Sequence, residues 1–206
     1  MAYERTPNEE QFLAEVASHE MTVLRDEEGF RHLRFQRPGT RVMGFDILTW
    51  PGHLCYTGDM GTYVFSRLPD MFEFFRGEPE GPLKPNPGYW SEKVLAQDRN
   101  GGVMEFEPEI FRKAIESWLD DHEASDEVRE RVAAEVLPRA FDGEYAAMSA
   151  ALDFEHEGFH LTDFYEARVR DFTHSFMWCC YALPWAVRQY DAMKAEPAEK
   201  PARARP

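Results

Sequence analysis

The stretch FRHLRFQRPGTRVMGFDILTWPGHLCYTGDMGTYVFSR, from Phe30 to Arg67, decides the fold. Within it Leu33 and Phe35, Phe45 and Ile47, Leu54 and Tyr56, and Tyr63 and Phe65 are apolar pairs separated by one residue. Successive side chains of an extended chain point to opposite faces, so each pair sits on one buried face. The runs are cut at Pro38-Gly39, at Trp50-Pro51-Gly52-His53 and at Gly58-Asp59-Met60-Gly61, which supply the backbone angles of tight turns. The pattern predicts an antiparallel β-meander with strands near 30–37, 41–49, 53–57 and 62–66.

Upstream of the meander, Asn8 to Arg25 reads as an amphipathic helix, with Phe12, Val16, His19 and Val23 spaced by three or four residues and Gly29 as its stop. Downstream, Pro69 to Arg76 reads as a short helix. Its Met71, Phe72, Phe74 and Phe75 are too spread for one face, which places it between the sheet and a second layer. Residues 77–88 hold four prolines and three glycines and form an irregular linker. A helical half, 107–193, follows. It comprises Glu107 to His122 with Phe111, Ile115, Trp118 and Leu119 at helical spacing, Asp126 to Leu137 with Val128, Val132 and Val136, and Asp142 to Phe154. Thr162 then caps a long helix through Phe172, Phe176, Cys180 and Leu183, bent or ended near Pro184. The expected fold class is α+β. A single domain over 1–193 packs an N-terminal helix and a four-stranded antiparallel β-meander (the β-rich half 30–76) with a C-terminal helical layer, and 194–206 is a disordered tail.

The chain has 206 residues, 43% apolar and 14% aromatic, enough to bury a substantial core. Neither a leader-like apolar run at the N-terminus nor a stretch of about 18 apolar residues occurs, so a cytoplasmic protein without membrane contact is expected. Cys55, Cys179 and Cys180 are odd in number and lack a CxxC, which points to reduced thiols.

Charge separates the function classes. The chain carries 38 acids and 23 bases, a net charge of −15, and from Glu105 to Asp171 nineteen acids face seven bases. Direct nucleic-acid binding draws its affinity from cations that neutralise phosphates, and this balance argues against it. The expected partner is a protein with a basic surface. The binding residues would be Glu105, Glu107, Glu109, Glu116, Asp120, Asp121, Glu123, Asp126 and Glu127, and solubility is the plainer reading of the same charge.

His156-Glu157-Gly158-Phe159-His160 matches H-E-x-x-H. On a helix, two histidines four apart face one zinc ion and the glutamate activates its water. That reading makes His156 and His160 metal ligands, with Asp163 first, or else Glu166 or His174, as the third, and Glu157 the catalytic base of a zinc hydrolase. Gly158 inside the string and the helix-start pattern after it favour instead an acidic turn between helices. Asp46, His53 and Asp59 with Cys55 could form a catalytic set, although turn and core roles suit them better. Trp50, Tyr56, Tyr63, Phe65, Phe72, Phe74 and Phe75 read as core, with some left for a partner or a second copy of the chain. Phe172 to Trp185 reads as a central buried helix or an oligomer seam.

The stretch from Phe30 to Gly77, above all Phe45 to Arg67 and the following Asp70-Met71-Phe72-Glu73-Phe74-Phe75-Arg76, resembles uncharacterised proteins encoded by tailed phages and prophages. The resemblance covers about a quarter of the chain and carries no functional residues with it. It implies a small phage accessory protein in the bacterial host's cytoplasm, a class that includes inhibitors of bacterial defence of the anti-CRISPR or anti-restriction type. Joined to the charge, it gives the leading expectation, an acidic inhibitor that meets a nucleic-acid-processing complex by mimicking nucleic acid. The alternatives are the metal-dependent hydrolase and a structural or regulatory homo-oligomer.

Overall fold

The computed structural model describes residues 6–99 and 102–195. In chain order the elements are α1 (Glu9–Val16), β1 (Glu20–Glu27), β2 (Phe30–Gln36), β3 (Phe45–Trp50), β4 (His53–Gly58), β5 (Gly61–Ser66), α2 (Met71–Phe75), α3 (Pro87–Ser91) and β6 (Val94–Gln97). Then follow β7 (Met104–Phe106), α4 (Pro108–Asp121), α5 (Asp126–Glu135), α6 (Glu144–Leu152), β8 (Glu155–His156), β9 (Phe159–His160), β10 (Arg170–Phe172) and α7 (His174–Ala195). The fold is α+β, and the chain forms two compact units: a sheet unit up to Val103 and again from Thr173, and a helical unit from Met104 to Phe172.

In the sheet unit six strands, two more than the sequence pattern predicts, pair antiparallel in sequential order. The predicted alternation sets their inner face: Leu33, Phe35, Phe45, Ile47, Leu54, Tyr56, Tyr63 and Phe65 are all fully buried. Helix α7 supplies Phe176, Trp178, Leu183 and Trp185 to the same core, and Phe12 of α1 packs 5.0 Å edge-on to Trp178. Burying a phenylalanine of this kind contributes about 2 kcal/mol. The Trp178 indole donates to Glu15 at 2.7 Å, so α1 is joined to α7 by packing and by a hydrogen bond.

The predicted helix over 8–25 stops at Val16. After a turn over 17–19 the chain forms β1 from Glu20, whose pairing with β2 shifts register between Val23 and Arg25. Gly29 is not a helix stop: Glu28 and Gly29 both have positive φ (47° and 88°), the pattern of a type I′ hairpin turn. At the far edge β6 was not expected at all; it pairs with β5 through Val64 and Ala96. The predicted strand at 41–49 begins only at Phe45, and the 77–88 linker is irregular until α3 begins at Pro87.

An ionic network joins sheet and helices in this unit. The Arg31 guanidinium donates to both Asp70 oxygens (2.9 and 2.8 Å), lies over the Phe72 ring, and donates to Tyr190, whose hydroxyl donates to Asp26 at 3.0 Å. Asp70 also caps α2 by accepting from Phe72 N. Burial alone would raise the Asp70 carboxyl, but the hydrogen bonds from Arg31 and Phe72 N outweigh it and hold the carboxyl below its ordinary value.

The helical half does not run unbroken. Its α4, α5 and α6 build a separate core around Phe111, Ile115, Val132 and Phe164. Thr162 caps no helix, and the long helix begins twelve residues later, at His174. Pro184 lies inside α7 without ending it. An interior proline costs about 3 kcal/mol, offset here by the burial of its neighbours Leu183 and Trp185. Of the tail expected to be disordered, 196–206 lies outside the described residues.

Candidate functional site

The carboxylates singled out in the sequence all belong to the helical unit, most of them on α4, α5 and the turn between. Pro108 occupies the first turn of α4, and the Glu107 side chain accepts from Glu109 N at 3.4 Å. Phe111, Ile115 and Leu119 bury one face. Glu109, Glu116 and Asp120, seven and four residues apart, share the opposite face, the last two separated by about 6 Å along the axis. Ser125 caps α5 through Val128 N, and Asp126 and Glu127 stand in its first turn, where the helix dipole favours anions.

The turn between these helices is costly. Ala124 N donates to Leu119 O and Glu123 N to Asp120 O, the paired bonds of a Schellman motif. Its left-handed position normally takes glycine; here it is Glu123, at φ 49°. Asp120 and Asp121 lie in the last turn of α4, which holds no basic residue, so both oppose the helix dipole. Arg129 offsets part of this by donating to Ala124 O and Leu119 O (3.1 and 3.2 Å) and pairing with Asp120 at 2.8 Å.

Every arginine of the helical unit is committed to a carboxylate of the same unit. Arg112 pairs with Glu109, Arg129 with Asp120, Arg131 with Glu135, Arg139 with Asp142, Arg168 with Asp171 and Arg170 with Glu144. This neutralises Glu109 and Asp120 among the expected binding residues. Glu116, Asp121, Glu123 and Asp126 are exposed and make no ion pair among the described residues. Glu105 is exposed on β7, and Glu107 is half-buried at the cap.

The H-E-x-x-H string is not helical. Glu155 pairs with His160 and His156 with Phe159 in a two-stranded hairpin, turned by Glu157 (φ 50°) and Gly158 (φ 80°). Cross-strand partners share a face, so His156 and His160 point to opposite sides, and the peptidase arrangement is absent. Asp163 starts a 3-10 turn in a left-handed conformation. The structure instead gathers His156, Glu157 and Glu127 of α5, whose ligand atoms lie within 4.8 Å of one another. No spacing in the sequence signals Glu127 as a member of this group.

The Asp46, His53, Asp59 and Cys55 set is not assembled either. Asp46 accepts from Arg34 (2.9 and 2.8 Å) and contacts His32 at 2.9 Å; His53 stacks on Trp50; Asp59 accepts from Met43 N. Burial pushes the Cys55 thiol up, away from the thiolate a nucleophile needs. Of the aromatic cluster, Tyr56, Tyr63, Phe65, Phe72 and Phe75 are core, Phe74 is half-buried and Trp50 is exposed. Phe176 to Val187 is the buried stretch of α7. Among the described residues no helix is long and apolar enough to cross a membrane.

Comparison of the chain with protein-family models, with curated proteins and with solved structures finds no match.

Proposed function

We propose that this chain is a protein-binding accessory protein whose helical unit presents carboxylates to a cationic partner surface. The observation that carries the reading is the α4–α5 corner. Exposed acids accumulate there at positions that lower stability, Asp121 against the helix dipole and Glu123 in the left-handed place of a glycine, while the arginines of the unit are spent on other carboxylates. Features that cost stability and stay exposed are best explained by what they meet. Exposed, unpaired carboxylates suit a surface built for phosphates, and association with such a surface is fast and salt-sensitive. Together with the resemblance to phage-encoded proteins, this makes a bacterial nucleic-acid-processing or defence complex the proposed target and occlusion of its nucleic-acid groove the proposed action.

The test is affinity capture from bacterial lysate with the wild-type chain and with a Glu116→Lys, Asp121→Lys, Glu123→Lys variant. Asp120 is left in place because it anchors Arg129. The reading expects a nucleic-acid-processing complex to be retained by the wild type, lost by the variant and competed off by duplex DNA. Recovery of no such complex, or equal recovery by the variant, contradicts it.

A further inference from the structure

His156 and Glu157 form a cluster with Glu127, which the sequence counts among the docking carboxylates but on which the reading of the α4–α5 corner does not rest. The His156 Nε2 atom is closed off from solvent and makes no hydrogen bond. Its neighbour is Glu127 Oε1, 3.4 Å away. An oxygen of Glu157 completes the group within 4.8 Å. A buried nitrogen that could donate or accept, left without a hydrogen bond, calls for an explanation such as an ion. The distance fits one: a nitrogen and an oxygen bound tetrahedrally to one ion at about 2.1 Å stand about 3.4 Å apart. Two separate elements converge to make the group, the first turn of α5 and the β8–β9 hairpin, and both lie in the helical unit.

We infer that Glu127, His156 and Glu157 bind a divalent first-row metal ion, with zinc as the best fit. One imidazole and two carboxylates form a donor set suited to zinc or manganese, and three protein ligands leave a coordination position for water or for a group from a partner. The site differs from the helical H-E-x-x-H arrangement in its members. Glu127 replaces His160, which faces the other side of the hairpin, and Glu157 is a ligand rather than a base. It stands independently of the docking proposal, whose variants leave all three residues intact.

The experiment is calorimetric titration of the EDTA-stripped full chain with Zn²⁺, beside Glu157→Asn, His156→Ala and His160→Ala. Glu157→Asn is the decisive variant, because asparagine before glycine is the preferred type I′ pair and the hairpin is retained. The expected result is one Zn²⁺ per chain, affinity at least about tenfold weaker in Glu157→Asn and His156→Ala, and unchanged affinity in His160→Ala. Absence of stoichiometric Zn²⁺ binding overturns the inference. So does equal affinity in Glu157→Asn and wild type, or loss of binding on His160→Ala.

Discussion

Replacing Glu123 by glycine should stabilise the helical unit, an uncommon direction for a point substitution. Glu123 occupies the left-handed position of the Schellman motif that closes α4, at φ 49°. That conformation costs an L-residue with a Cβ roughly 1–2 kcal/mol, and glycine adopts it freely. Removing the carboxylate beside the negative end of the α4 dipole adds about 0.3–1 kcal/mol. Against these, glycine gives the unfolded chain about 0.4–1 kcal/mol of extra entropy. The balance is a gain of about 1 kcal/mol, or about fivefold in an opening equilibrium. The natural readout is native-state exchange of the Ala124 amide, which is bonded to Leu119 O and reports the closure of this turn. It should exchange about fivefold more slowly in Glu123→Gly. Glu116→Gly removes the same charge from the exposed middle of α4 and should cost about 1 kcal/mol, with faster exchange. Equal effects of the two substitutions, or faster exchange in Glu123→Gly, would refute the reasoning that geometry rather than charge count sets the cost of this turn.

Three further outcomes are expected. Gly58→Ala should destabilise the sheet unit by about 1–3 kcal/mol in urea unfolding, because the added Cβ would stand 2.7 Å from Phe45 Cα and Cβ. On acidification the sheet unit should weaken, because its paired carboxylates are protonated while the arginines keep their charge. Burial raises the Asp46 and Asp70 carboxyls, yet bonds from Arg34 and Arg31 outweigh it and leave both below the ordinary value of 3.8. Their stabilisation is therefore complete above the unfolded-state value and is lost as pH falls through the lower folded-state values, which Asp70→Asn should blunt in a pH series of thermal midpoints. Cys179 and Cys180, both fully buried, with thiols that burial pushes up, should resist alkylation in the native chain and react only after unfolding, as thiol labelling with mass spectrometry can show.

The central strands were legible in the sequence because two local signals agreed. Period-2 apolar residues and Pro-Gly or Gly-Asp turns placed β2, β4 and β5 within a residue of their observed limits. The first strand was hidden because Phe12, Val16, His19 and Val23 fit a helical spacing, and because an edge strand with mostly exposed residues shows no alternation to compete with it. Glu28-Gly29 and Glu157-Gly158 form the same two-residue turn, yet glutamate is not a residue that signals it. The start of α7 was misplaced because Thr162 has the chemistry of a cap without the following helix; the cap near the real start is Thr173, whose hydroxyl accepts from Phe176 N. The density of acids in the helical unit could be counted directly. Which of them its arginines neutralise, and that Glu127 joins His156 and Glu157, depend on contacts between residues far apart in the chain, and no local pattern encodes them.

The central claim, that unneutralised carboxylates of the α4–α5 corner drive binding, is tested most directly by the salt dependence of affinity for the captured partner. The wild-type chain should bind with log Kd rising steeply and linearly with log salt. The Glu116→Gln, Asp121→Asn, Glu123→Gln variant should bind more weakly with a shallower slope. Identical slopes for the two proteins would contradict the account.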